Sequence, residues 1–147
     1  MIQWVCKSFA ELSSFEMYNI LHQRNQVFVV EQNCVYQDCD HKDEKCHHLM
    51  GWESDLLVAY SRLLPAGLAF DNMSIGRVLT AEDYRGKNIG RELMTKSIEQ
   101  LYALFGPQPI TIGAQLYLKT FYESFGFKRI GDVYLEDNIK HIQMLKL

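Results

Sequence analysis

Hydrophobic residues along this chain follow two different spacings, one typical of strands and one of helices. Short apolar runs, which predict strands, occupy residues 2–5, 47–52, 55–64, 75–79 and 110–114. Apolar residues at helical spacing begin near residue 14 and recur over residues 89–101 and 117–125. A closing hairpin should pair residues 128–134 with 140–146 around a turn at 136–138. The order β-α-β-β-β-α-β-α-β-β predicts an α/β (α+β) fold built on one twisted sheet.

A capping signal marks the start of the first helix. Ser13 and Glu16 form the capping-box pattern, so the helix should begin near Ser14. The β-branched run that follows, within residues 25–32, predicts that this helix ends or bends there. Arg24 falls on the apolar face of the helix. We expect it either to pair with an acidic group, such as Glu31 or a residue of the following loop, or to snorkel at the edge of the face.

Residues 75–104 read as a strand, a basic glycine-containing turn and a helix. This arrangement is how many folds bind phosphate, because the first amides of a helix have no internal partner and the helix dipole is positive there. The alternative is an ordinary exposed helix start with solvated charges. The turn and the first helical residues are Arg85, Gly86, Lys87, Asn88, Ile89, Gly90 and Arg91.

Composition, charge and hydropathy argue against several classes of protein. With 147 residues, 48% hydrophobic and 22% charged, the chain suits a single globular domain over residues 1–147. A net charge of −3 argues against a nucleic-acid surface, and no apolar run is long enough to cross a membrane. The N-terminus lacks the architecture of a signal peptide. We therefore expect a cytoplasmic protein that binds neither nucleic acid nor membrane, as a monomer or a homodimer.

Cysteine and histidine residues are concentrated in one segment. Cys34, Cys39 and Cys46 lie close to His47 and His48, which raises the possibility of a zinc site. The spacing lacks the close cysteine pairs of structural zinc sites, so free thiols and surface histidines are the favoured interpretation, and no metal is expected.

The basic turn resembles the acetyl-CoA loop of the GNAT acetyltransferase superfamily, whose pattern is Gln/Arg-x-x-Gly-x-Gly/Ala. Arg85 and Gly90 match this pattern, and Asn88 replaces its first glycine as the residue type best able to adopt the positive φ that glycine allows. A second segment, QLYLKTFYESFGF at residues 115–127, resembles the family pattern Asn-x-x-Ala-x-x-Phe-Tyr-x-x-x-Gly-Phe. Gln115 and Leu118 replace the usual Asn and Ala, and the four matching residues are Phe121, Tyr122, Gly126 and Phe127.

A narrower resemblance extends over most of the chain. The segments VFVVEQNCVYQDCDHKD (27–43), HL (48–49), GAQ (113–115) and YLEDNIKHIQM (134–144) are similar to the ElaA-type subgroup of this superfamily. The resemblance implies a mixed, mostly antiparallel sheet with helices on both faces. It also explains the segment before residue 48 as a family loop without metal.

The resemblance implies acetyl-CoA as cosubstrate and gives residues to hold it. A backbone amide at Val78 or Leu79 would bind the thioester carbonyl, and the pantetheine arm would follow the strand to Thr80. The pyrophosphate would lie on the amides of the loop that starts at Arg85, with Gln115 also near the cofactor. Tyr122 matches the family's general acid, which protonates the departing thiolate. The alternative for Tyr122 is a packing aromatic residue on the apolar face of its helix.

The general base is less defined by the sequence. A primary amine titrates near a pKa of 10.4, so some group must remove its proton near neutral pH. We favour Glu31 and His48 about equally for this role, among the candidates Glu31, Asp40, Asp43, His48, Glu53 and His141. The resemblance places the acceptor pocket after the first helix, which implies Gln32, Tyr36 and Asp40 as substrate-binding residues.

Three functions remain open at this point. The leading hypothesis is an acetyl-CoA-dependent N-acetyltransferase that acts on a primary amine of a small molecule or peptide, by direct transfer in a ternary complex. A covalent route through a cysteine is the alternative mechanism. The second hypothesis is a non-catalytic acyl-CoA-binding module. The third is a zinc-binding interaction domain that uses the segment from Cys34 to His48. The acceptor itself is not visible in the sequence.

Overall fold

The computed structural model of the protein describes every residue from Met1 to Leu147. Its helices are α1 (Ser14–Arg24), a π-helical segment (Asn25–Glu31), α2 (Ile89–Phe105) and α3 (Lys119–Glu123). Its strands are β1 (Gln3–Ser8), β2 (His47–Glu53), β3 (Leu56–Leu64), β4 (Ser74–Thr80), β5 (Ile110–Gln115), β6 (Lys128–Arg129), β7 (Tyr134–Glu136) and β8 (Ile139–Lys146). None of the helices has the length and apolar character needed to span a membrane.

The sheet is mixed and mostly antiparallel, which confirms the predicted fold class. Strands β1 to β4 pair antiparallel in chain order, whereas β8 lies between β5 and β6 and also pairs with β7. The two halves meet at a parallel bridge between Met73 and Ile110, where the Thr111 amide donates to the Met73 carbonyl at 3.0 Å. Beyond that bridge β4 and β5 diverge, so the facing edges of both strands are open.

Helices cover both faces of the sheet. On one face α2 packs Leu93 and Met94 against Ala59 and Leu63 of β3, within the larger buried cluster. On the other face α1 packs against a second cluster that contains Tyr60, also of β3. Because β3 is buried on both faces, it is apolar along most of its length rather than alternating.

The first helix begins as predicted and then changes its winding. The Glu16 amide donates to Ser13 Oγ at 3.1 Å, and the Ser13 amide donates to Glu16 Oε1 at 2.8 Å, which confirms the capping box. After Arg24 the chain neither stops nor kinks but continues as a π-helix to Glu31. A π-helix is wider than an α-helix and is uncommon except near functional sites. The bend predicted from the β-branched run is therefore a change of helix type.

Two predicted elements differ in detail from the structure. The strand expected at residues 128–134 is divided into β6 and β7, and both pair with β8. The tight turn between β7 and β8 has Asp137 and Asn138 in the left-handed region, at φ 51° and 65°, as in a type I′ turn. The last helix is shorter than predicted, because a 3₁₀ turn over Leu116–Leu118 precedes α3.

Candidate active site

A cleft of about 750 Å³ opens where β4 and β5 diverge. We call it the central cleft. It is lined from both faces of the sheet, by residues of the π-helix, β4, β5, α3 and the β7–β8 hairpin. The predicted site residues that line it are Glu31, Gln32, Tyr36, Asp40, Val78, Leu79, Thr80, Arg85, Gly90, Gln115 and Tyr122. The other predicted residues, which do not line it, are His48, Gly86, Lys87, Asn88, Ile89 and Arg91.

A β-bulge shapes the wall of the cleft that β4 provides. Tyr60 pairs with Leu79 and Arg62 pairs with Gly76, so two residues of β4, Arg77 and Val78, lie opposite one residue of β3. Arg77 has a φ of 49°, which is unfavourable for a residue with a side chain. Its guanidinium is fixed by Asp38, which accepts from Arg77 Nε at 2.8 Å. The bulge interrupts the regular ladder at the point where β4 borders the cleft.

The loop between β4 and α2 has the backbone that the sequence predicts. Gly86 and Asn88 adopt φ of 77° and 63°, and the helix starts at Ile89 directly after Asn88. A side chain added at Gly90 would point at the Thr80 hydroxyl, 3.7 Å away, and at Phe121. Glycine at this position therefore leaves the first turn of α2 open on the side of the cleft.

The three cationic side chains of this loop, which we call the loop cations, lie at the surface. Arg85 donates to the Thr80 carbonyl and, at 2.7 Å, to Glu31 Oε1, so it joins the loop to the end of the π-helix. Lys87 lies over the ring of Tyr84, and Arg91 lies 4.7 Å from the ring centroid of Phe125. No carboxylate forms an ion pair with Lys87 or Arg91, so both charges are available to an anion.

Tyr122 lies on α3 at the opposite wall of the cleft. It is buried and packs edge-on against Phe121 and Phe127, with ring centroids 5.2 Å and 6.2 Å away. Burial raises the pKa of Tyr122 to about 12, so the phenol carries its proton at neutral pH. A proton donor has to be protonated before the reaction, and Tyr122 meets this requirement.

His48 cannot act in the cleft, and its predicted role as the base is wrong. The side chain is fully buried, Nε2 lies 3.0 Å from the Asp43 carbonyl oxygen, and Nδ1 lies 2.6 Å from the Tyr60 hydroxyl. Because a carbonyl only accepts, Nε2 carries the hydrogen and Nδ1 accepts from Tyr60. Burial also lowers the pKa of His48. His48 faces the same side of the sheet as Tyr60, beneath α1, away from the open edge of β4.

Three buried or half-buried arginines meet three aspartates next to the cleft. We call Arg24, Arg62 and Arg77 the core arginines. Arg24 donates to Asp38 at 2.8 Å and to Asp43 at 2.7 Å, so its partners are acidic residues of the following loop, as the first of the two sequence alternatives states. Arg62 donates to both oxygens of Asp40, at 2.7 and 2.8 Å. Each arginine thus has at least one carboxylate partner.

This network limits what Asp40 and Tyr36 can do as substrate-binding residues. Burial would raise the pKa of Asp40, but the hydrogen bonds and charge of Arg62 outweigh this effect and hold the pKa well below its usual range. The Tyr36 hydroxyl donates to Asp38 at 2.9 Å, and its ring lies under the Arg77 guanidinium. Both residues line the cleft, but their polar atoms already have protein partners.

Two glutamine side chains connect the π-helix end with β5. Gln115 Nε2 donates to Gln32 Oε1 at 3.4 Å, and both residues line the cleft. Glu31, the neighbour of Gln32, also lines the cleft but shares its carboxylate with Arg85.

Residues of the β7–β8 hairpin complete the cleft. His141 lines the cleft from β8, while Tyr134 and Glu136 line it from β7. The sequence interpretation named His141 only as one of several bases, and it placed Glu136 in a turn without a role. The alternation of β8 was the available signal, because Ile142 and Met144 are core residues and His141 must therefore face the other side.

The segment proposed for zinc does not form a metal site. No group of three or more histidine, cysteine, aspartate or glutamate side chains converges in the way that a metal ion requires. The thiol of Cys46 donates to the Lys42 carbonyl at 3.1 Å, and the thiol of Cys34 donates to the Asp137 carbonyl at 3.4 Å. Together with the two hydrogen bonds of His48, these contacts separate the predicted ligands.

Comparisons with a family model, with known sequences and with solved structures all point to the same family. The family model described as acetyltransferase (GNAT) domain matches residues 16–147. The protein ElaA of Escherichia coli (strain K12) is 43% identical over 148 aligned positions, which cover 99% of this chain and 97% of that protein. A solved structure of an acyl-CoA N-acyltransferase from Pseudomonas aeruginosa is 38% identical, with a TM-score of 0.96 and full coverage of both chains.

A more distant structure shows the same fold. An aminoglycoside 6'-N-acetyltransferase complexed with coenzyme A has a TM-score of 0.71 over 97% of this chain and 96% of its own, at 17% identity. At that identity the likeness concerns the fold alone.

Proposed function

The chain belongs to the GNAT acetyltransferase family, and we propose that residues 1–147 form one domain that transfers an acetyl group from acetyl-CoA to a primary amine of a small molecule or peptide. The observation that carries this proposal is the central cleft, which brings together the bulged edge of β4, Arg85 and Gly90 of the following loop, and Tyr122.

The cofactor would lie along the open edge of β4. We assign the pyrophosphate to the first-turn amides of α2 and to the loop of Arg85, Gly86, Lys87, Asn88, Ile89, Gly90 and Arg91, where the helix dipole and the loop cations favour an anion. The pantetheine amides would pair with β4 up to Thr80, and an amide of Val78 or Leu79 would polarise the thioester carbonyl. Gln115 would border the same path from β5.

The reaction requires three proton movements. An ammonium substrate first loses one proton to become the free amine, whose nitrogen attacks the thioester carbon. As the N–C bond forms and the C–S bond breaks, the nitrogen loses a second proton and the departing thiolate gains one. We assign the proton that the thiolate gains to Tyr122, which is protonated and lines the cleft, and the second proton of the nitrogen restores the phenol. Glu31 remains a candidate for contact with the incoming ammonium, since its carboxylate is shared with Arg85 at the mouth of the cleft. With this arrangement transfer takes place directly in a ternary complex.

A thermal-shift titration with acetyl-CoA, CoA and ATP tests the binding part of the proposal. A ligand at about 100 times its Kd adds roughly 2.7 kcal/mol, which is several degrees for a domain of this size. We expect stabilisation by acetyl-CoA and CoA but not by ATP. No shift with either CoA species would overturn the proposal.

Turnover is tested by release of free CoA with a panel of primary amines that includes diamines, amino acids and dipeptides. Tyr122→Phe should retain the thermal shift but lose about 100-fold in kcat, within the range of general acid catalysis. Tyr18→Phe, at an exposed tyrosine of α1, is the matched control and should remain active. CoA binding with no turnover of any amine would favour the non-catalytic acyl-CoA-binding module instead.

A further inference from the structure

One imidazole faces the cleft but takes part neither in the proposed binding of the cofactor nor in the protonation of the thiolate. His141 lies on β8, directly opposite Gln115 of β5 and Tyr134 of β7 in the strand register. Its side chain is 9% exposed and lines the central cleft, as Tyr122 also does. The strands hold it on both sides, so its position is fixed by the sheet rather than by a loop.

The contacts of His141 define which nitrogen can accept a proton. Nδ1 lies 2.7 Å from the carbonyl oxygen of Ile139, and because a carbonyl only accepts, Nδ1 carries the hydrogen. Nε2 is therefore the nitrogen with a free lone pair. The Glu136 carboxylate lies 3.6 Å from Nε2, within ion-pair distance of a protonated ring. Tyr134 stacks on the ring at 5.8 Å and keeps its plane in place.

Other groups in the cleft are less suited to accept a proton. Glu31 is paired with Arg85, and Asp40 is paired with Arg62, so each carboxylate already has a cation. Burial raises the pKa of Tyr134, so its phenol stays protonated near neutral pH. The titratable or charged groups that line the cleft with His141 are Glu31, Cys34, Tyr36, Asp40, Lys42, Arg62, Arg77, Arg85, Tyr117, Tyr122, Tyr134, Glu136 and Asp137.

We propose that His141 is the catalytic base of the transfer reaction, an inference that rests on the proposed function. His141 Nε2 takes the proton that an ammonium substrate loses to become the free amine that attacks the thioester. The departing thiolate takes a different proton, from Tyr122, and the second proton that the nitrogen loses as the N–C bond forms and the C–S bond breaks restores the phenol.

The decisive variant is His141→Asn, measured with the best amine of the panel. An asparagine amide can still donate to the Ile139 carbonyl, so the fold should be kept, but the basic nitrogen is lost. We expect kcat/KM at pH 7 to fall about 100-fold, as for loss of a general base, with an unchanged thermal shift for CoA. His22→Asn, at an exposed histidine of α1, is the matched control and should keep wild-type activity.

The pH profile separates a base from a merely structural residue. Above a pH of about 10 a primary amine loses its proton without help, so the defect of His141→Asn should become much smaller there. A defect of equal size at every pH, or no defect, would overturn the base assignment.

Nuclear magnetic resonance of the imidazole nitrogens gives a readout independent of turnover. The neutral ring of His141 should carry its hydrogen on Nδ1, and the opposite tautomer would overturn the proposal. If the wild-type protein turns over no amine, the proposed function and the base assignment fall together. If the wild type is active and His141→Asn matches it, the base assignment alone falls.

Discussion

The molecule has two groups of three cationic side chains near the central cleft, and the two groups differ in whether carboxylates neutralise them. The core arginines Arg24, Arg62 and Arg77 are held by aspartates of one loop. The loop cations lie at the surface, and only Arg85 has a carboxylate partner. The first group is charge-compensated and therefore part of the structure, whereas the second retains free positive charge. Arginine near a cleft thus indicates an anion site only where carboxylates do not already neutralise it.

Loss of a core arginine should lower the free energy of unfolding more than any other change considered below. Arg24→Met fills a similar volume but leaves part of the buried charge of Asp38 and Asp43 without its partner. We expect the free energy of unfolding to fall by about 3–5 kcal/mol, measured by urea titration. Lys7→Met, which removes the partly exposed pair with Glu16, is the control and should change stability by less than about 1 kcal/mol. Equal small losses in both variants would show that the core arginines are not structural.

Loss of two loop cations should change binding rather than stability. Lys87→Ala combined with Arg91→Ala removes two charges that have no carboxylate partner, and we expect the Kd for CoA to rise roughly 10- to 100-fold. Stability should stay within about 0.5 kcal/mol, as is usual for surface changes. Lys45→Ala combined with Lys128→Ala, at two exposed lysines elsewhere, is the charge-matched control. Equal losses of affinity in both double variants would mean that overall charge, not the loop, attracts the cofactor.

At the left-handed position Asn88, the backbone should tolerate glycine but not a residue with an ordinary side chain. Asn88 has a φ of 63°, so Asn88→Ala should destabilise the protein by about 1–2 kcal/mol. Asn88→Gly is the paired control, because glycine adopts this conformation without strain, and it should keep wild-type stability and CoA affinity. If both variants bind and fold alike, the left-handed residue is not needed to start α2.

Low pH should weaken the salt bridges of the core arginines, whereas at neutral pH these salt bridges should stay intact. The pKa values of Asp40 and Asp43 are lowered in the folded state, because the arginines outweigh the effect of burial. Their contribution is therefore complete above the unfolded pKa of 3.8 and is lost as the pH falls below it. The free energy of unfolding should decline slightly below pH 6.5, where the unfolded chain protonates His48 but the buried side chain resists a proton, and should fall more steeply below pH 4. This fall should be shallower in Asp40→Asn and unchanged in Glu44→Gln, an exposed neighbour.

The sequence predicted well those structural features that depend on residues close together in the chain. The capping box at Ser13, the left-handed Asn88 and the strand–loop–helix unit depend on neighbouring residues, and all three are confirmed. The change to a π-helix after Arg24 and the division of the last hairpin depend on tertiary packing, which periodicity does not contain.

The positions of site residues were predictable mainly through the family resemblance. Val78 and Leu79, which the resemblance implies as cofactor-binding residues, do line the cleft. His48 was misplaced because alternation shows that successive residues of β2 face opposite ways, not which face borders the cleft. The sequence predicted a partner in the acidic loop for Arg24 alone, because the other two core arginines lie on separate elements far along the chain.

The loop that carries these aspartates also sets a limit on recombination among relatives. Its three carboxylates bind α1, β3 and β4 through Arg24, Arg62 and Arg77. A chimera that receives the loop alone would place unmatched acids against a foreign scaffold. The unit that could be transferred intact is the loop together with its three distant arginines.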